Sequence, residues 1–477
     1  MVIRGIKGGN MIRHIYKSLD EVFEKLEPSY GHKFEEYDIN HRLNEPGNKG
    51  ALGQIVEEGI LGYPINSDAE ADLKELGVEV KTTGVIKNRN GIKAKERLTI
   101  DAINYKTIVN SKFDNSPVWE KASDMLLVFY NYVNDLPYGD MRIIKAAINK
   151  FSDEDIQIMR QDYDFIIAKI KNGQAQNISE GDTMYLGACT AGTGALQNQP
   201  FSSIKAKQRK FCIKQSFFSQ LVRKYVNDEE FEHVLSLDEI KNNTFEIALE
   251  SEFSKYYGMS ETRIRERFNI QDDPKAKNRY ERYIAKMLKV NGDVNRTEEF
   301  LKANITLKTI RVEENNTIEQ SMSFPYFEFT DIVKQEWEDS DLRNLFAIQK
   351  FLLAIFKRKE GELYFERIMF WNMPEQTLDE EVKPAFDELK NVLSKGNIVR
   401  EIKTNKSGKQ IRYNNFPGMA DNPVTHVRPH GKDASDTAPL PVKDKLTGLN
   451  SYTKQCFWLN NSYVGSIIGL TKTKTKK

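Results

Sequence analysis

The sequence predicts an α/β protein of two tandem domains, and three observations lead there. The chain has 477 residues, beyond the size at which a single hydrophobic core usually stops growing. Its best-marked strand, Val78 to Lys81, alternates apolar and charged residues, and it follows a stretch from Lys49 to Leu61 in which Leu52, Ile55, Val56 and Ile60 recur at helical spacing. The chain also contains itself twice, in fragments that keep their order.

The strand carries the chemistry. Its alternation turns Val78 and Val80 into a core and leaves Glu79 and Lys81 together on the other side. Gly77 marks the turn into the strand, and Asp72 stands seven residues before Glu79. Two carboxylates and a lysine converging at one strand end can hold a hard divalent cation and manage an attacking water, which is the chemistry of a metal-dependent phosphodiesterase. The bland alternative is a solvated edge strand, where Glu-x-Lys is commonplace. The helical stretch before the strand can turn Glu57 toward the same place, with Glu58 equally available.

The internal echoes are individually short. Val80-Lys81 matches Leu307-Lys308, and Tyr30-Gly31 matches Tyr257-Gly258, with 50 residues from glycine to lysine in both halves. Downstream, Val118-Trp119-Glu120 and the apolar run Met125 to Tyr130 match Glu336-Trp337-Glu338 and Phe351 to Phe356. Lys210 to Phe217 parallels Lys454 to Asn461, cysteine against cysteine. Constant spacing places Thr306 opposite Glu79, Ile284 opposite Glu57, and Glu299 or its neighbour opposite Asp72, while Lys308 keeps Lys81. The first half is therefore expected to be catalytic and the second to be a copy that kept a binding surface and lost the reaction.

Charge and composition set the remaining bounds. The net charge of +1 hides a local asymmetry, because Ser203 to Tyr225 holds seven Lys/Arg and no acid while Asp228 to Glu250 is acid-rich. The domain boundary is expected near 226–245, giving domains 1–230 and 245–477. No apolar run approaches the roughly 18–20 residues that span a bilayer, and the N-terminus lacks the apolar stretch of a secretory signal. Three scattered cysteines predict a reducing, cytoplasmic setting without disulfides. His426 and His430 have no cysteine nearby to complete a zinc site. The tail Lys472 to Lys477 reads as a frayed basic end.

Lys49-Gly50, Gly53, the apolar pair before Glu57 and above all Leu76 to Thr82 resemble the mismatch-repair nickase MutH and the related type II restriction endonucleases that cut at GATC. The resemblance is specific over residues 49–83, looser to about 225, and fragmentary in the second half. It implies a restriction-endonuclease-like core, a central mixed sheet flanked by helices, in two tandem copies. It also implies magnesium held by Asp72, Glu79 and the Val80 carbonyl. Lys81 would orient or deprotonate the water, Glu57 would support the site, and Lys121 would match a further lysine of the family.

Base reading in the family belongs to a C-terminal loop, here Tyr185 to Thr193 with Thr190. The basic stretch that follows (Lys205, Lys207, Arg209, Lys210, Lys214) can position a duplex through its phosphates. The nickase's Arg-Pro is missing from this loop, whereas the second half has Arg428-Pro429 with His430 and Lys432. The expected activity is magnesium-dependent hydrolysis of double-stranded DNA at GATC, leaving 5′-phosphates. A second copy acting as an effector and a DNA-induced homodimer complete the expectation. The rival readings are a strand-specific nickase and a noncatalytic DNA-binding regulator.

Overall fold

The computed structural model describes residues 14–65, 71–88, 91–192, 194–271, 273, 276 and 278–470. Thr193 of the expected reading loop and the basic tail Lys472 to Lys477 lie outside them. The chain forms two compact units, one of residues 1–248 with 296–304 and the other of residues 249–295 with 305–477. Among the described residues no helix is long and apolar enough to cross a membrane.

The first unit is built on β1 (Glu79–Asn88), β2 (Gly91–Ala94), β3 (Leu98–Ala102), β4 (Met125–Asn131), β5 (Arg142–Asn149), β6 (Leu186–Thr190), β7 (Leu196–Gln199), β8 (Ser202–Lys207) and β9 (Arg209–Ile213). Its central sheet has the order β2-β1-β4-β5. β1 and β4 run parallel, and the outer pairings are antiparallel. β4 is buried along all but its last residue, as its unbroken apolar run requires of a strand covered on both faces. Val78, Val80, Leu126 and Val128 belong to one core that also takes in Leu52, Ile55 and Val56 from the preceding helix. A smaller sheet, β3-β9-β6, and the hairpin β7–β8 complete the unit.

The second unit repeats this plan with β10 (Ile305–Val312), β11 (Met322–Tyr326), β12 (Lys350–Lys359), β13 (Glu362–Trp371), β14 (Val399–Thr404), β15 (Gln410–Asn414), β16 (Thr425–Pro429), β17 (Thr437–Pro439), β18 (Ser451–Thr453) and β19 (Gln455–Leu459). β10 runs parallel to β12, and β12 antiparallel to β13. Lys81 pairs with Leu127 and Lys308 with Leu353, the register that the echoed sequences require. The Tyr-Gly echo is structural as well. Gly31 N–H donates to Ile143 O and Gly258 N–H to Phe365 O, both at 2.8 Å. The Tyr30 hydroxyl accepts from Ala146 N–H and the Tyr257 hydroxyl from Ile368 N–H, both at 3.1 Å.

One echo needs correcting. β11-β19-β16 reproduces β3-β9-β6, but Ile213 faces Leu98 and Leu186 just as Leu459 faces Met322 and Thr425. Matching Cys212 to Cys456 therefore shifts the register by two residues. The next position settles it. Lys214 donates to Thr183 O before the helix Gln215–Asn227, and Asn460 donates to Asn422 O at 2.7 Å before the helix Asn461–Ile467.

Candidate active site

The site forms where β1 begins. Gly77 takes a left-handed φ of +65°, which an L side chain adopts only at a cost, and Leu73 and Val78 bridge across the turn. That turn brings Asp72 back alongside the strand, where its Oδ2 accepts the Val80 N–H at 2.9 Å. Lys81 Nζ donates to Glu79 Oε1 at 2.6 Å, so the two side chains share a face as their spacing predicts. Glu79 is only 7% exposed, which excludes the solvated-edge reading.

Glu57 and Glu58 are separated by a change of helical pitch. The α-helix Ala51–Ile55 widens into a single π turn, Val56–Ile60, whose Leu61 N–H reaches back to Val56 O at 2.9 Å. Such widened turns re-aim side chains and recur at functional sites. Glu58 is buried in a two-pronged pair with Arg42, Nε to Oε2 at 2.9 Å and Nη2 to Oε1 at 2.8 Å. Burial alone would raise its pKa, yet the bonds from Arg42 and Asn40 bring it below the ordinary range. Glu57 faces the other way. Burial, then repulsion from Asp72, pushes its pKa up to about 7, with Glu79 and Glu58 adding to the rise and Lys81 opposing it. Asp72 is also raised, by burial and then by Glu79, against the Val80 N–H, Lys81 and Lys121. Two buried carboxylates raised in this way mark a site that favours positive charge.

Lys121 lies in the helix Pro117–Ala122, capped by Ser116, whose Oγ accepts the Trp119 N–H at 3.2 Å. Its ammonium binds Asp101 of β3 at 3.0 Å and its charge reaches Asp72. Sequence reasoning passed over Asp101; its only signal is its place in a strand that precedes the lysine. Among the described residues no three His, Cys, Asp or Glu side chains stand close enough to enclose a metal ion. With one oxygen of Asp72 on a backbone N–H and one of Glu79 on Lys81, each carboxylate keeps a second oxygen without a hydrogen-bond partner among the described residues.

The second unit holds a damaged version of this cluster. Asn295 Oδ1 accepts the Leu307 N–H at 2.6 Å, the bond Asp72 makes to Val80. Asn295, and not Glu299, is thus the counterpart of Asp72. Glu281, and not Ile284, stands in the place of Glu57: its pKa is raised by burial and Asp293, with Lys308 opposing. Constant spacing misses both because the helix Glu298–Ala303 is inserted between Asn295 and β10, and that helix belongs to the first unit. Thr306 does replace Glu79, and its Oγ1 accepts from Gln349 Nε2 at 2.7 Å.

Comparison with known proteins fits this geometry. The family model for the DNA mismatch repair enzyme MutH matches residues 61–162. The chain is 33% identical to the type II restriction enzyme Sau3AI of Staphylococcus aureus, over 87% of this chain and 92% of that one. The chain belongs to the MutH-like family of type II restriction endonucleases. The DNA mismatch repair protein MutH of Vibrio campbellii is 26% identical over 43% of this chain and 94% of its own, and that of Shewanella woodyi is 25% identical over 35% and 72%. The MutH proteins thus match less than half of this chain, and the restriction enzyme matches most of it.

The basic residues of this MutH-like restriction endonuclease divide by burial. Lys205, Lys210 and Thr190 are exposed, and Lys207 is half-buried. Arg209 is buried and donates to Ala188 O at 2.9 Å, and Lys214 is buried on Thr183 O. Arg209 therefore braces β6 and Lys214 the segment that precedes it, instead of facing solvent. In the second unit Arg428, His430 and Lys432 are exposed. The Arg428 guanidinium lies over the Trp458 ring, 5.1 Å from its centroid, a stacked guanidinium free of any ion pair among the described residues.

Proposed function

We propose that this restriction endonuclease hydrolyses double-stranded DNA at GATC in a magnesium-dependent step that leaves 5′-phosphates, with the first unit cutting and the second binding a further copy of the site as effector. The observation that carries this reading is the convergence of Glu57, Asp72, Glu79, Lys81 and Lys121 on the start of β1. The free oxygens of Asp72 and Glu79, with the Val80 carbonyl, would hold one magnesium ion, and hard oxygen donors completed by water suit that ion. When bound, the cation supplies positive charge against the phosphate and the leaving oxygen and lowers the pKa of water. Lys81, anchored by Glu79, donates to a water and orients it toward the phosphorus. Glu57, with a pKa near neutrality, accepts or returns a proton at little cost. Lys121, fixed by Asp101, keeps a positive charge beside Asp72 and the incoming phosphate.

The exposed Lys205 and Lys210, with half-buried Lys207, make phosphate contacts that set the register of the duplex, and the loop from Thr190 reads bases in the major groove. A palindrome has two scissile phosphates while one chain has one intact cluster, so double-strand cutting takes two chains meeting on DNA or sequential nicking by one. Purified protein with supercoiled GATC plasmid and magnesium is the test. Linear product with 5′-phosphate ends is expected, none from Glu79→Ala, and retained duplex binding by that variant in calcium. Open circles alone would point instead to the nicking activity of the MutH repair proteins. Cutting by Glu79→Ala at the wild-type rate would remove the catalytic assignment.

A further inference from the structure

The cluster of the second unit has changed its charge by losing two of three carboxylates and keeping Glu281. In the first unit three carboxylates and one lysine carry a formal charge of −2, which repels a phosphate until a cation intervenes. At the matching places Glu281, Asn295, Thr306 and Lys308 sum to zero. The scaffold is kept: Asn295 still accepts the strand N–H at 2.6 Å, and Lys308 still lies on the parallel pair, opposite Leu353 as Lys81 is opposite Leu127. What differs is the partner of the lysine. Lys81 is tied to Glu79, while Lys308 Nζ donates to the Ser323 carbonyl at 3.2 Å and rests 5.4 Å from the Phe324 ring centroid, with no carboxylate in ion-pair range among the described residues.

That ammonium lines an open cleft of about 330 Å³ together with Glu281, Arg311, Gln320, Ser321 and Ser323. Hydroxyl, amide and guanidinium groups share the lining with Glu281, Glu313 and the exposed Glu319, and the Glu313 carboxylate is engaged by Arg358 at 2.6 Å. Resting on the reading that the second unit binds DNA, we infer that this cleft seats a backbone phosphate of duplex DNA directly on Lys308, without a divalent cation, where the first unit uses one. Burial holds Lys308 below the ordinary lysine range, opposed by the charge of Glu281. An incoming phosphate supplies the counter-charge that Glu79 supplies to Lys81. The loss of Asp72 and Glu79 from this copy is then a change of ligand chemistry, from cation-bridged to direct.

The test is binding of a short GATC duplex to the intact protein in EDTA, across salt concentrations, and again in calcium. Wild type is expected to show an EDTA-resistant phase and a calcium-dependent phase. Lys308→Met should weaken the EDTA-resistant phase by about tenfold or more, the loss expected for one charged hydrogen bond, and lower its salt slope by about one ion. Lys308→Arg should restore most of the affinity, and the calcium-dependent phase should not move. Thr306→Glu, which returns a carboxylate beside Lys308, should make the resistant phase calcium-dependent. Lys308→Met binding as wild type in EDTA, or losing only the calcium-dependent phase, would overturn the inference and leave the effector reading standing. A wild type with no EDTA-resistant phase, whose two-site plasmid is cut no faster than a one-site plasmid, overturns both.

Discussion

At the residue scale the site is a balance of repulsions that Lys81 and Lys121 only partly relieve. Glu57 shows it most clearly, since its pKa stands at about 7 against an ordinary 4.5. Below about pH 4.5 the carboxyl is protonated in folded and unfolded chains alike, and nothing is lost. As pH rises toward 7 the unfolded chain ionises first, so the folded state loses stability. The loss is complete above the folded pKa. A shift of this size corresponds to roughly 3 kcal/mol. In EDTA, urea unfolding of wild type from pH 5 to 8 should therefore show stability falling with pH, with Asp72, also raised, adding to the fall at the acid end. Glu57→Gln should flatten that dependence and make the metal-free protein more stable at pH 8 by about 1–3 kcal/mol, while slowing cleavage. Parallel pH curves for the two proteins would mean that Glu57 does not share the field of Asp72 and Glu79.

At the scale of single elements, the π turn Val56–Ile60 sets which glutamate shares the field of Asp72 and Lys81 and which pairs with Arg42. It can form only because Gly59 lies against the Phe34–Tyr37 turn; a Cβ there would stand 1.9 Å from the Tyr37 carbonyl oxygen. Gly59→Ala must push these turns apart, at a cost of about 1–3 kcal/mol for overpacking. It should also lower cleavage by moving Glu57. Equal urea midpoints and equal cutting by wild type and Gly59→Ala would show that the contact can yield freely. This turn also marks the limit of what the sequence discloses. The strand at Val78 to Lys81 was legible because alternation reports a half-buried face directly, and the apolar run of β4 was legible because it appears twice, while its parallel pairing with β1 was not. The choice between Glu57 and Glu58 was not, since a change of helical pitch leaves no mark in apolar spacing. Glu281 and Asn295 escaped for a related reason: an inserted helix breaks constant spacing, and only the hydrogen bond to Leu307 reveals the correspondence. Arg209 and Lys214 looked like DNA contacts because a basic run in sequence does not say which of its side chains the fold ties to buried carbonyls.

At the scale of the whole molecule, the chain enters the second unit, returns to the first for residues 296–304, and leaves again. The returning helix brings Lys302 to buried Asp155 at 2.6 Å, with Glu298 also on the ammonium at 2.5 Å. Removing one partner of a buried pair typically costs about 3–5 kcal/mol. A fragment of residues 1–248 should therefore unfold at lower urea than the first unit does within the intact chain. Asp155→Asn should recover part of that loss, and an unchanged midpoint would show that the returning helix is dispensable. The first unit is thus completed by residues that follow a stretch of the second. A covalent arrangement of this kind gives the effector reading a route through the chain, because β10, which carries Lys308, begins directly after the returning helix. Coupling between the units is a free energy, and a typical value of about 1–3 kcal/mol corresponds to a change of about 5- to 150-fold. A plasmid with two GATC sites should accordingly be cut at least about fivefold faster than a plasmid with one, and a short GATC duplex added in trans should close the gap. The measurement must span enzyme concentrations, because pairing of two chains on DNA alone would also favour two sites, but only while protein is scarce. Equal rates on both plasmids at every concentration would leave the second unit as a DNA anchor without regulatory effect.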